Sequence, residues 1–182
     1  MAKTSADSIL ESIRRISPTT KISDDISPEL AYQVLQFHDT LGFTSIIPPT
    51  CDTKDFFSKV ICGVLKPLSI VRGRVTCLLA VKPVITNYFR GVHGGAVASV
   101  AEAVSLACAR TILSEDKEIF LGELSVSYLS SAPKDAEVIV TSNIVRSGRN
   151  LTIVAVDFKV KPTEKLVYTA RATFYNMPIA KL

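Results

Sequence analysis

The stretch from Asn87 to Glu102 holds the densest set of groups able to do chemistry: Asn87-Tyr88-Phe89-Arg90-Gly91-Val92-His93-Gly94-Gly95-Ala96-Val97-Ala98-Ser99-Val100-Ala101-Glu102. Glu102 is the only charged residue between Gly94 and Ala109, in a run otherwise made of small and apolar residues. Such a run predicts a helix buried on every side. A lone carboxylate inside it is costly unless paired or shifted in pKa, and perturbed carboxylates concentrate in active sites. The alternative is a structural carboxylate tied to backbone amides or to an arginine. His93-Gly94-Gly95 opens the same helix. Two glycines leave the first-turn N–H groups bare, and these amides together with the helix dipole suit an anion or a polarised carbonyl. A tight turn needing positive φ would use the same two glycines.

Other elements must hold this segment in place. In the first forty residues, Thr4 or Ser5 is positioned to cap a helix with Ile9, Leu10, Ile13 and Ile16 at helical spacing, stopped at Ser17-Pro18. Ser27, Pro28 and Glu29 read as cap, first position and first turn of a second helix. Its Leu30, Val34, Phe37 and Leu41 share a face, and Gly42 ends it. Residues 43–55 read as a loop. Phe56–Leu65 reads as a strand, and Val71–Lys82 as a second, with Val71, Val75, Cys77, Leu79 and Val81 on one side. Gly94–Leu113 is the long helix. Four strand-like runs follow: Glu118–Leu129, Glu137–Ser147, Leu151–Lys161 and Leu166–Asn176. This order predicts an α+β fold, a curved antiparallel sheet around one central helix. The expected division is a helical extension over residues 1–42 and a main domain over 43–182.

Composition narrows the function. The chain has 182 residues, 47 % hydrophobic and 21 % charged, with 21 basic against 17 acidic residues for a net +4. That mild excess predicts no nucleic-acid partner but suits an anionic small molecule. No apolar run reaches the roughly 18 residues of a membrane span. Cys51, Cys62, Cys77 and Cys108 lie far apart with no CxxC spacing, which predicts no metal site and reduced thiols inside a cell. The N-terminal residues show no apolar signal-peptide core.

Asn87, then His93-Gly94-Gly95 six residues on, then Glu102 nine positions after the His, resembles the signature of hotdog-fold thioesterases. The likeness is to the branch of the phenylacetic-acid-degradation thioesterases and acyl-coenzyme A thioesterase 13. Ser125-Val126-Ser127-Tyr128-Leu129-Ser130-Ser131-Ala132 and Arg146-Ser147-Gly148-Arg149-Asn150-Leu151 extend it, over about Phe56 to Asn176.

The resemblance implies a hotdog fold with extra N-terminal helices. It implies an acyl-CoA thioesterase that needs no metal or organic cofactor. Glu102 would be the catalytic carboxylate, either general base or nucleophile, its pKa raised by burial. The Gly94 amide would hold the thioester oxygen, with Gly95 beside it, and Asn87 would position the carbonyl or the water. His93 would bond the thioester or hold the loop. Arg146, Gly148 and Arg149 would meet coenzyme A phosphates. Arg90 would pair with Glu102, meet a phosphate or face solvent. The resemblance also implies a homodimer or a dimer of dimers, with Asn87 and Glu102 coming from different subunits.

Some relatives carry a Ser or Thr early on the strand after the helix, to orient water. Here Leu121 or Gly122 stands there, with Ser125 and Ser127 further along. A non-catalytic acyl-CoA binding or sensing module is therefore the second reading. A hotdog hydratase, which resembles a different motif with Asp and His five apart on the helix, ranks below both, because no His follows His93. Ala180-Lys181-Leu182 resembles a small-basic-leucine peroxisomal address, so a peroxisomal or a cytoplasmic location is expected.

Overall fold

A computed structural model describes residues 2–42 and 45–178, with side chains over 7–42 and 45–177. The Ala180-Lys181-Leu182 tail lies outside the described residues. The chain divides into two compact units, Met1–Lys54 and Asp55–Leu182.

The first unit is a helical pair, α1 (Ala2–Ile16) and α2 (Pro28–Thr40). α1 is already helical at Ala2, so Thr4 and Ser5 lie inside its first turn instead of capping it. Ser27 caps α2 as expected, its Oγ accepting the Leu30 N–H at 3.2 Å, with Pro28 at the first helical position. Gly42 follows at φ +79, the left-handed turn that ends a helix. The small core is Ile13, Ala31 and Leu35, flanked by Ile9, Leu10, Ile16, Ile22 and Tyr32. The expected face of Leu30, Val34 and Phe37 stays exposed. α2 turns the adjacent stripe to α1, where Ala31 is small enough to allow close approach.

The second unit opens with α3 (Phe56–Val64) where a strand was expected. Phe56, Phe57, Val60, Ile61 and Val64 recur at helical spacing, and Ile61 and Val64 are the buried pair. A short apolar run satisfies period two and period 3.6 at once. β1 (Leu65–Val71) and β2 (Arg74–Ala80) form a hairpin, so Val71 belongs to the first strand and not the second. Gly73 sits in its turn at φ +80, and its N–H reaches Thr111 Oγ1 at 2.8 Å. Pro67 has no N–H to donate, and the ladder shifts between Pro67 and Ser69, which an edge strand tolerates.

α4 (Gly94–Arg110) follows, then β3 (Lys117–Tyr128), β4 (Glu137–Ser147), β5 (Leu151–Val160) and β6 (Lys165–Pro178). The antiparallel sheet runs β1-β2-β4-β5-β6-β3, so β1 and β3 are its edges. Alternate residues Val138, Val140, Val154, Val156, Phe158, Ala172 and Phe174 are buried in the core, as are Val97, Val100, Ala101, Val104 and Cys108 of α4. α4 packs against five of the six strands, β2 to β6.

One row of paired residues crosses all six strands: Pro67, Cys77, Val140, Phe158, Tyr168 and Tyr128. Tyr168 packs edge-on against both Phe158 and Tyr128, with ring centroids 5.7 and 5.9 Å apart. Its hydroxyl accepts the Ala132 N–H at 2.9 Å. That row ends where α4 begins.

Candidate active site

The start of α4 is built by the turn before it. Asn87 N–H donates to Gly91 O at 2.8 Å, and Asn87 Oδ1 accepts the Gly91 N–H at 3.1 Å. Arg90 closes the turn from the left-handed region at φ +63. Its N–H reaches Asn87 O at 3.0 Å, and its side chain is exposed without an ion pair among the described residues. The strand-like bridges Thr86–Val92 and Gly91–Pro133 then deliver His93, whose N–H donates to Ile85 O at 2.8 Å.

His93 is the N-cap of α4. Its extended backbone lets Nδ1 accept the Gly95 N–H at 3.0 Å. A neutral imidazole accepting at Nδ1 carries its proton on Nε2. The Gly95 amide, expected to bind substrate, is thus taken by the cap. The Gly94 N–H has no hydrogen-bond partner among the described residues and lies at the positive end of the helix dipole. Tyr128 donates its hydroxyl to Gly94 O at 2.9 Å, and a Cβ on Gly94 would stand 3.4 Å from that oxygen. Sequence reasoning gave Tyr128 no place at the site. Its only signal was the Tyr-Leu end of a strand, and the register that brings it to Gly94 is tertiary.

Glu102 lies eight residues on, about 12 Å along the helix axis. It is exposed, against the expectation of a helix buried all round. α4 buries one face, from Ala96 to Ala109, and turns Glu102, Leu106, Ala107 and Arg110 outward. Small residues occupy both faces, so hydropathy alone could not distinguish them. The expected desolvation of Glu102 is therefore absent within a single chain. Glu102 makes no ion pair among the described residues.

Glu102 forms part of the wall of a hollow of about 310 Å³ between α3 and α4, with Phe57, Ile61, Cys62, Ser99 and Leu106. A second hollow, about 270 Å³, opens at His93 and Gly95. Phe57 is a wall of both.

Arg146, Gly148 and Arg149 line a different hollow of about 330 Å³ at the turn from β4 to β5. Gly148 N–H donates to Leu151 O at 2.8 Å, and its carbonyl accepts from Asn176 Nδ2 at 2.9 Å. Leu151 pairs with Tyr175, and Tyr175 with Phe120, whereas Tyr128 marks the Gly94 end. Eight residues of β3 separate the two ends, roughly 26 Å. One chain therefore does not bring this basic turn to its own helix start.

Where the resemblance would set a Ser or Thr, β3 has a bulge between Leu121 and Glu123. A Cβ on Gly122 would strike the Tyr175 ring at 2.1 Å. Ser125 and Ser127 are exposed on the strand face opposite to Leu124, Val126 and α4. Burial raises the thiols of Cys77 and Cys108 above their ordinary 9.0. Among the described residues no His, Cys, Asp and Glu cluster could hold a metal, and no helix is long and apolar enough to cross a membrane.

Residues 89–167 match the model of the thioesterase superfamily. That match lies within the second unit and spans its central helix, β3, β4, β5 and the start of β6. Human acyl-coenzyme A thioesterase 13 is 26 % identical over 117 residues, 64 % of this chain and 82 % of that protein. The zebra fish thioesterase superfamily member 2 structure superposes with a TM-score of 0.63 at 22 % identity, covering 69 % of this chain and 88 % of that one. A Streptococcus mutans protein solved with acetyl CoA gives 0.58 at 20 % identity, covering 64 % and 91 %. These superpositions establish the hotdog fold for the second unit: a sheet wrapped round α4.

Proposed function

We propose that this protein hydrolyses acyl-CoA thioesters to a free acid and coenzyme A, at a site shared by two copies of the chain. The observation that carries this is the placement of two complementary groups on one helix. The unpartnered Gly94 N–H and the exposed Glu102 carboxylate are set about 12 Å apart along α4. They are too distant to act on one carbonyl carbon from the same chain. A second α4 running antiparallel would set its Gly94 opposite Glu102, and its Asn87 turn alongside. The twelve-residue edge strand β3 is open for a second copy to pair with.

In that site the thioester oxygen accepts the Gly94 N–H, and the helix dipole stabilises the oxyanion. Glu102 acts in one of two ways. As general base it takes a proton from water, the hydroxide adds to the carbonyl carbon, the C–S bond breaks and the thiolate recovers the proton. As nucleophile its oxygen adds to the carbonyl carbon and the C–S bond breaks, expelling the coenzyme A thiolate; water then opens the acyl anhydride to the acid and the free carboxylate, and a proton from that water goes to the thiolate. His93 holds the first turn of α4 through Gly95, a positioning role. The Arg146–Arg149 turn meets the phosphates of a substrate held by another copy, since it stands far from its own Gly94.

A non-catalytic acyl-CoA binding module is the second reading. It is favoured by the bare Gly122 bulge and by Ser125 and Ser127 facing away from α4. Free-thiol release from acyl-CoAs of graded length, by wild type and Glu102→Ala, separates the two. Release by wild type alone supports hydrolysis at Glu102. Binding of acyl-CoA without release by either protein supports the module.

A further inference from the structure

We propose that Tyr128 is a positioning residue for the thioester: together with His93 it clamps the Gly94–Gly95 peptide at both ends and so aims the Gly94 N–H. This rests on the reading of that N–H as the donor to the thioester oxygen.

The two glycines that open α4 are not there for backbone freedom, since neither has a positive φ. Space accounts for them better. A Cβ on Gly95 would stand 3.2 Å from His93 Nδ1, closer than side chains ordinarily pack. A Cβ on Gly94 would already touch the Tyr128 hydroxyl at 3.4 Å and its ring at 3.5 Å. The side chains given this room bond one and the same peptide. The Tyr128 hydroxyl donates to Gly94 O at 2.9 Å, and the Gly95 N–H donates to His93 Nδ1 at 3.0 Å. That peptide plane is thus held at its oxygen and at its hydrogen.

The plane before it is held as well. The Gly94 N–H shares a peptide with His93 O, which accepts the Val97 N–H at 3.1 Å. A first-turn amide has no helical partner of its own, so these two fixed planes set the direction of the Gly94 N–H. Donation to Gly94 O also polarises its peptide and strengthens the Gly95 N–H as a donor to Nδ1. Tyr128 is itself braced from the sheet. Its ring packs edge-on against Tyr168 at 5.9 Å, and the Tyr168 hydroxyl is fixed by the Ala132 N–H at 2.9 Å.

The test reads the substrate carbonyl directly, on the full chain. The probe is an acyl-CoA ketone, with a methylene in place of the thioester sulfur and a carbon-13 label at the carbonyl. It cannot be hydrolysed. On binding wild type its carbonyl resonance should move downfield as the amide polarises it. Tyr128→Phe keeps the ring against Tyr168 and removes only the hydroxyl, and should give a smaller shift. With acyl-CoA it should lower kcat about tenfold and leave KM within about twofold, the split of an interaction realised in the transition state. A merely structural tyrosine would lower the urea midpoint and leave the carbonyl shift of the folded protein unchanged.

Two clamps on one peptide must also couple. In His93→Ala the peptide is already loose, so adding Tyr128→Phe should lower kcat by less than about threefold, where independent residues would give about tenfold again. A shift equal to wild type in Tyr128→Phe, or an undiminished kcat, overturns the clamp and leaves hydrolysis intact. If wild type releases no thiol, the hydrolysis reading falls and the ketone still judges the clamp. A downfield shift that shrinks in Tyr128→Phe then upholds it, and a carbonyl unmoved by wild type, or moved equally by both, overturns it.

Discussion

Glu102 and His93 share one helix and differ in what they cost the fold. Glu102 is exposed and outside the core, so Glu102→Gln should leave stability within about 0.5 kcal/mol of wild type. The same change should lower kcat/KM for acyl-CoA at least about a hundredfold, the lower range for loss of an acid–base group, with thermal melts run beside the kinetics. His93→Ala behaves otherwise. It removes the acceptor for the Gly95 N–H and should cost about 1 kcal/mol, read as a lowered melting temperature. His93→Asn, able to cap, should recover most of that. The buried thiols add a pH term. Cys77 and Cys108 titrate above their ordinary 9.0 in the folded protein, so near and above that pH the folded state holds protons that the unfolded chain has lost. Their contribution is complete below about pH 9 and declines as pH rises beyond it, which urea midpoints across that range will check. Thiol titration with a disulfide reagent should find Cys51 and Cys62 fast, and Cys77 and Cys108 only on unfolding.

The row of side chains that crosses the sheet is what aims α4. Phe158 is fully buried in the middle of that row and packs on Tyr168, which in turn meets Tyr128 beside Gly94. Phe158→Ala should therefore cost about 3–5 kcal/mol, measured by denaturant unfolding. Tyr128→Phe is the milder probe of the same line. It deletes only the hydroxyl on Gly94 O, and should leave the fold and soften the helix start, seen as faster amide exchange in the first turn of α4. These elements were unequally legible beforehand. The last four strands and the central helix were readable because each is long enough for its period to declare itself. α3 was not, since the apolar positions of a nine-residue segment between a loop and a proline-bearing edge strand fit two periods.

Two separate cores make the molecule two-part. The second unit has a large core spanning sheet and helix, whereas the α1–α2 pair rests on Ile13, Ala31 and Leu35. Limited proteolysis of the full chain should cut first in the exposed turns of residues 45–54 and leave a resistant fragment starting near Asp55. Assembly has its own test. Asn87→Ala and Glu102→Ala should each be inactive. In a site shared between subunits, a hybrid dimer of the two keeps one intact site of its two. An equal mixture, exchanged by partial denaturation, should regain about a quarter of wild-type activity. No regain after verified exchange would mean that Asn87 and Glu102 act within one chain.

Residue types and spacing alone determined a good deal here. Asn87, His93-Gly94-Gly95 and Glu102 marked the segment proposed to bear the chemistry. Alternation at Val75, Cys77 and Leu79, and again through β4 to β6, determined which strand face is buried. The cap at Ser27-Pro28 determined where α2 begins. These are local properties, set by each residue and its near neighbours in the chain. Only the tertiary structure decided that Glu102 faces outward, because a helix of small residues has no hydropathic front or back until a sheet covers one side. It alone decided that Tyr128 meets Gly94, since that contact depends on strand register across six strands. It also placed the Arg146–Arg149 turn at the far end of the sheet from Gly94 of its own chain, a separation no count of residues along the sequence contains.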